Sequence, residues 1–179
     1  MASTTTRLLS WKEFEQLPES DWMRQELHHG ELFEMPPPVH RHKNIERRLR
    51  RSIEHVGSDF GVVETEVGFR PFLGNEYWIA DVALVSHERW NATPPDGHII
   101  GAPELVIEVL SPSNTRKKMA DRRKICLENG CREFWIIDPK KREVAVSTPD
   151  GRTITYKPGQ QIPLFLADAS NIAVDAIFE

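Results

Sequence analysis

Two acidic residues stand in segments that otherwise read as strands buried on both faces. Asp81 interrupts Trp78-Ile79-Ala80-Asp81-Val82-Ala83-Leu84-Val85, and Glu108 interrupts Leu105-Val106-Ile107-Glu108-Val109-Leu110. Apolar runs of this length, free of turn residues, describe strands covered from both sides. An ionised carboxylate in such a strand must be paired or hold a metal, because burying it alone is costly. Two such acids on separate strands, able to converge, make a small site for a hard cation.

The rest of the chain supplies what such a sheet needs. With 179 residues, 39% of them hydrophobic, residues 1–179 are expected to form one domain with a real core. No apolar run approaches the roughly 20 residues that span a bilayer, and the N-terminus lacks a signal-peptide core, so no membrane association and a cytoplasmic location are expected. Cys126 and Cys131 are too few for a disulfide framework, and no second pair or His motif accompanies them as a metal site.

The elements follow from periodicity and punctuation. Ser10 and Glu13 form a capping box for a short N-terminal helix. Gly30 turns an N-terminal hairpin over residues 24–35, which Pro36-Pro37-Pro38 ends. Ile45, Leu49, Ile53 and Val56 recur at helical spacing and predict a helix over 39–56. Strands are expected at 61–72, around Asp81, around Glu108, at Phe134-Trp135-Ile136-Ile137, and in a meander through Val144 and Ile154. Late strands are expected near Ile162 and Ile172. Residues 87–102, with Pro94, Pro95, Gly97 and Gly101, read as a long loop. Ser111-Pro112-Ser113-Asn114 starts a helix that Asn129-Gly130 stops. This order predicts an α+β (α/β) fold with a mixed sheet flanked by helices.

Charge is distributed unevenly. The net charge of −4 argues against a generic nucleic-acid binder, yet 12 of the 23 Lys and Arg fall in two short stretches, 41–51 and 116–124. Arg41, Lys43, Arg47, Arg48 and Arg51 in the first, and Arg116 and Lys117 in the second, are the candidate nucleic-acid-binding residues. The competing reading is two solvated helix faces.

Taken together, Asp81-Val82-Ala83-Leu84-Val85 and Glu108-Val109-Leu110-Ser111-Pro112-Ser113 resemble the Uma2 family of the PD-(D/E)XK nuclease-like superfamily. Glu26-Leu27-His28-His29-Gly30-Glu31-Leu32 with Met35-Pro36-Pro37-Pro38 looks like its opening hairpin. His42 precedes Ile45 as a family histidine precedes the first helix. Gly101-Ala102-Pro103-Glu104 leads into the metal strand, and Gly130 through Asp138-Pro139 matches the closing strand. The resemblance implies a restriction-endonuclease-like core and a Mg²⁺- or Mn²⁺-dependent endonuclease acting on DNA. It implies Asp81, Glu108 and the Val109 carbonyl as metal ligands and a lysine near the attacking water. It also makes a homodimer plausible, since many such nucleases pair to cut both strands.

Three positions depart from the pattern. Ala80 replaces the proline before the acid, and Leu110 occupies the third place of Glu-x-Lys. Uma2-like sequences commonly carry the lysine on the following helix, where this chain has Arg122, a poor proton donor or acceptor. Lys118, one turn earlier, is the preferred substitute, with Lys124 behind it. The catalytic set is therefore Asp81, Glu108, Lys118 and Arg122.

Glu26, Glu31 and His42 are accessory candidates for the acidic cluster. His28 and His29 cannot share an ion, because adjacent strand residues point to opposite faces. Two like charges in one pocket are expected to raise the apparent pKa of the Asp81–Glu108 pair, so Asp81→Asn is expected to stabilise the metal-free protein or leave it unchanged. Two rival readings remain open. One is a catalytically impaired nucleic-acid-binding module on the same scaffold; the other is a structural or interaction protein with its acids in salt bridges.

Overall fold

The computed structural model describes residues 7–18, 23–112, 114–166 and 170–179; Ser113 of the helix-start motif and the first six residues lie outside them. The elements run α1 (Trp11–Phe14), β1 (Arg24–His28), β2 (Glu31–Met35), α2 (His40–Gly57), β3 (Gly61–Arg70), β4 (Trp78–Ser86), α3 (His87–Ala92) and β5 (Ile99–Ile100). They continue with β6 (Leu105–Val109), α4 (Arg116–Glu128), β7 (Glu133–Asp138), β8 (Glu143–Ser147), β9 (Thr153–Tyr156), β10 (Gln161–Pro163), β11 (Asn171–Ala173) and α5 (Val174–Phe178).

Seven strands form one mixed sheet in the order β5-β3-β4-β6-β7-β8-β9. The β3–β5 and β6–β7 pairs are parallel and the others antiparallel. The fold class expected from the sequence is the one observed.

Helices cover both faces of this sheet, which is why its central strands are apolar throughout. Leu105, Ile107 and Val109 of β6 join Val82, Leu84 and Val63 beneath Ile45, Leu49 and Ile53 of α2. The β10–β11 pair and α5 complete that layer with Ile162, Ile172, Val174 and Ile177. On the other face Val106, Ala83, Val85 and Phe134 pack with Cys126 of α4 and with Cys131. Both cysteines are free and buried, so they serve as core residues.

Local chemistry sets the ends of the elements. Ser10 and Glu13 make the capping box reciprocally. Thr115 caps α4 by accepting from the Lys118 N–H. The β1–β2 hairpin turns on His29 and Gly30, both at positive φ (52° and 83°). Two successive left-handed residues give the turn whose twist matches the flanking strands. A Cβ on Gly30 would also lie 3.0 Å from the Leu9 carbonyl oxygen.

The hairpin docks on the sheet by a backbone bridge. Leu27 N–H donates to Tyr77 O (2.8 Å) and Tyr77 N–H to Leu27 O (2.9 Å), just before β4 begins. That places Glu26 beside the sheet interior.

The long loop expected over 87–102 is not one. Its first third is α3, and Ile99–Ile100 pair with β3 as an edge strand. Arg89 organises the segment by donating to the carbonyls of Ile100, Gly101 and Ala102. A distant arginine thus supplies the order that the Pro and Gly content hides. No helix among the described residues is long and apolar enough to cross a membrane.

Truncating the buried stripe of α2 tests this packing. Leu49→Ala removes a fully buried side chain and should cost about 2–5 kcal/mol of unfolding free energy in urea titrations. Arg51→Ala, on the exposed face of the same helix, should stay within about 0.5 kcal/mol of wild type.

Candidate active site

The two strand acids sit at the end of a shared ladder. β4 and β6 pair with Val82 opposite Ile107, so one step further along the same register Asp81 faces Glu108. The ladder stops there because the Asp81 carboxylate takes over: its Oδ2 accepts the Val109 N–H at 2.8 Å. On the other edge of β4 the β3 ladder skips one position between Thr65–Val82 and Val67–Ala80. The skipped residue, Glu66, has φ 56°, and Arg24 lies 3.4 Å from both Glu66 and Asp81.

Two clusters grow from this point. In the first, α2 contributes His42 and Glu46, four residues apart and therefore one above the other on one helix face. His42 Nε2 lies 3.0 Å from Glu46 Oε1 and 3.2 Å from Asp81 Oδ2. Both contacts are ion pairs without hydrogen-bond alignment, and His42 Nε2 and Glu46 Oε1 are both buried. One donor atom from each of the three residues lies within 4.8 Å of the others, a grouping able to hold a metal ion. Lys43 closes the rim, reaching Glu46 at 2.9 Å and Glu66 at 2.8 Å.

The second cluster centres on Arg122. Its Nε donates to Glu108 Oε1 (2.9 Å), its terminal nitrogens to Glu26 (3.1 Å) and to the Ile79 carbonyl (2.6 Å). Glu26 also accepts the Ile79 N–H (2.7 Å) and meets the His28 ring (2.7 Å). The guanidinium lies 5.1 Å from the centre of the Trp78 ring. Every partner of this buried cation is itself buried, or nearly so.

The acids differ in their proton affinity as a result. Burial opposes ionisation of Glu26, but Arg122, His28 and the Ile79 N–H hold its carboxyl down at about 2. Burial, with the charges of Asp81 and Glu26 behind it, holds Glu108 above the usual carboxylate range against the pull of Arg122. Asp81 goes the other way: it is equally desolvated, yet His42, the Val109 N–H and Arg24 bring it below the usual range. His42 is desolvated too, and Asp81 and Glu46 raise it to about 9. The expectation that the Asp81–Glu108 pair rises together is corrected here: only Glu108 rises, because only Asp81 has an imidazolium and a backbone N–H in direct contact.

The other candidates are placed as follows. Val109 reaches the site through its N–H. Lys118 extends its ammonium over the Phe33 ring at 4.2 Å, and Phe33 is the register partner of Glu26. Glu31 is exposed at the hairpin end. Arg41 donates to the Pro139 carbonyl, while Arg47, Arg51, Arg116 and Lys117 are exposed. Sequence reading missed Glu46, although a signal existed. It is the only acid in a basic stretch, four residues after His42, and shares the Leu49–Ile53 stripe. Arg24 and Glu66 carried no such signal.

Ionic coupling makes these residues testable through stability. Arg122→Ala leaves Glu26 and Glu108 buried without their cation and should cost about 3–5 kcal/mol. Asp81 has a depressed folded pKa, so its contribution is present above the unfolded value of 3.8 and is lost as pH falls through the folded one. Asp81→Asn should therefore destabilise the metal-free protein at pH 7, with the difference closing under strong acid. His42, raised to about 9, contributes stability that is complete below 6.5 and is lost as pH rises through 9. Urea melts across pH, with His42→Gln as the comparison, should show that alkaline loss only when the imidazole is present.

The solved structure of a "putative nuclease belonging to DUF820" from Anabaena variabilis ATCC 29413 is similar to this chain. It aligns with a TM-score of 0.79 and 23% identity over 95% of this chain and 97% of its own. No curated protein matches. The Uma2 family, described as "Putative restriction endonuclease", matches residues 11–174, and with that span covering both carboxylate clusters the chain belongs to the Uma2 family.

Proposed function

We propose that the protein is a divalent-metal-dependent endonuclease that hydrolyses DNA phosphodiester bonds from a single Uma2-type domain. The observation that carries this is the His42–Glu46–Asp81 grouping: one donor atom from each lies within 4.8 Å of the others, and all three side chains are buried or nearly so. A cation seated among the three donors would take the place of the His42 proton as the charge that the two carboxylates share.

The residues fit such an ion. Asp81, Glu46 and His42 would hold it, and Glu108 and the Val109 carbonyl would be the further ligands. Two carboxylates suit Mg²⁺ or Mn²⁺, and the imidazole favours Mn²⁺ of the two. A bound divalent ion would supply Lewis acidity, lowering the pKa of water and taking up charge from a phosphodiester oxygen.

The protein's own groups do the positioning. The Val109 N–H fixes the Asp81 carboxylate, and Arg24 and Lys43 offset the negative charge around it. Glu108, held toward its protonated form, is suited to exchanging a proton near neutral pH once an ion alters its surroundings. Lys118, one helical turn before Arg122, is the better candidate to meet phosphate charge, because Arg122 already has its donors engaged. Arg41, Lys43, Arg47, Arg48, Arg51, Arg116 and Lys117 would hold the backbone electrostatically. Two copies acting as a homodimer would cut both strands.

A second reading has its own observation. Arg122, at the position of the family lysine, is locked between Glu26 and Glu108. A chain with no other working ammonium would bind nucleic acid without cutting it.

Calorimetric titration with Mn²⁺ and Mg²⁺ tests the metal. Mn²⁺ should bind more tightly, and Glu46→Gln and Asp81→Asn should each abolish binding. With His42 as a ligand, uptake must displace its proton, so affinity should rise up to about tenfold per pH unit below pH 9 and then level off. Affinity that is flat from pH 6 to 8 would remove His42 from the ligand set. Cleavage of plasmid and linear duplex in Mn²⁺ tests the reaction. Lys118→Ala should slow it by about 10²–10³ and leave metal affinity intact. Salt-sensitive DNA binding with no cleavage would establish the second reading.

A further inference from the structure

The two flanks of α2 treat their cations differently. On the flank facing β3, Lys43 meets Glu46 and Glu66, and Arg50 meets Glu64 at 3.0 Å and Glu54 at 3.7 Å. On the flank facing α5, the side chains of His40, Asn44 and Arg48 have neither an ion pair nor a hydrogen bond among the described residues. With Arg41, Ile45, Arg142 and Phe178 they line a cavity of about 400 Å³.

The lining is one-sided in charge. It holds three guanidinium groups and no acid. Arg142 sits in the β7–β8 turn at φ 56°. Its Nε is buried with no hydrogen-bond partner, while one terminal nitrogen meets Glu179 at 3.0 Å, outside the lining. Arg41 is steered into place by its bond to the Pro139 carbonyl. The floor is apolar, built from Ile45 and the Phe178 ring.

Each part of this cavity has a chemical preference. Guanidinium forks match phosphate oxygens in geometry and charge. An aromatic face next to a cationic groove suits a base, which stacks whatever its identity. The volume falls within the roughly 300–1,000 Å³ of small-ligand sites, enough for a nucleotide unit. The position is also telling. His40, Arg41, Asn44 and Arg48 share the N-terminal half of α2 with His42 and Glu46, on a different side of the helix. A helix with its side chains is about 10–12 Å across.

We propose that this cavity is a nucleotide subsite that holds one phosphate and the adjoining base of a nucleic-acid strand, about one helix width from the metal cluster. The proposal rests on the nuclease reading for its substrate. It adds where the strand is gripped away from the reacting bond, and the grip does not need the metal.

Fluorescence anisotropy with an end-labelled single-stranded DNA 12-mer in EDTA tests it. Arg48 is half-exposed and unpaired, so Arg48→Ala should fold normally, as circular dichroism would verify. Loss of one charge-assisted phosphate contact should weaken binding about tenfold and flatten the log–log salt slope by about 1. Arg48→Glu should weaken it further. Phe178→Leu, with the charges intact, should weaken binding about fivefold or more without changing the slope, and adenosine monophosphate should displace the strand at lower concentration than inorganic phosphate. Wild-type and Arg48→Ala affinities and slopes that coincide would overturn the proposal, as would a wild type that does not bind the strand. Equal displacement by adenosine monophosphate and phosphate would overturn the base-holding half. The nuclease reading fails separately: Arg48-dependent binding without cleavage in Mn²⁺ removes it and leaves the subsite standing. Cleavage by Arg48→Ala at the wild-type rate and affinity does the reverse.

Discussion

The guanidinium of Arg122 is the interaction on which the rest of the site depends. It is buried under α4 and must be fully paired there, because an unmatched charge in that environment costs several times what an exposed one does. Its partners come from three separate elements: Glu26 from the hairpin, Glu108 from β6 and the Ile79 carbonyl from β4. One side chain therefore ties the N-terminal hairpin, the sheet centre and α4 to a common point. A lysine has no fork and could not reach all three. An arginine at this position is thus what assembles this corner of the fold.

That pairing leaves Asp81 to the other side. Because Glu108 is held by Arg122, the free carboxylate faces α2, where His42 and Glu46 wait one turn apart. The two clusters share a sheet position but differ in character. The Glu26–Arg122–Glu108 group is closed, with its donors spent. The His42–Glu46–Asp81 group is crowded, and the two acids around its imidazole raise the imidazole's pKa to about 9. The proposed metal would sit in the second, and the first ties the fold together. A similar division recurs along α2: Lys43 and Arg50 meet acids, while Arg48 has no ion pair among the described residues and lines a cavity.

Much of this was legible in the chain before folding. The strands around Asp81 and Glu108 announce burial by their unbroken apolar runs. The stripe of Ile45, Leu49 and Ile53 fixes which side of α2 meets the sheet. The capping box at Ser10 and Glu13, the turn at Gly30 and the stop at Asn129-Gly130 are all local chemistry and all appear where the sequence puts them. Residues 87–102 were not legible, because Arg89 orders them through carbonyls ten or more positions away. Glu46 was legible in principle: an acid on an apolar stripe carries the same message as an acid in an apolar strand.

What the sequence by itself determined is therefore the period of each element, the face it buries and the presence of carboxylates where water is excluded. These depend on neighbours within a few positions. The tertiary structure alone decided which cation meets which acid. Asp81 and Glu108 oppose one another across one ladder, yet one is drawn below its usual pKa and the other pushed above it. That outcome turns on β-register, on the docking of the hairpin through Leu27 and Tyr77, and on α2 and α4 lying over opposite faces of the sheet. Electrostatic pairing is settled by distances of a few ångströms between residues as much as 96 positions apart, and no local pattern encodes such a distance.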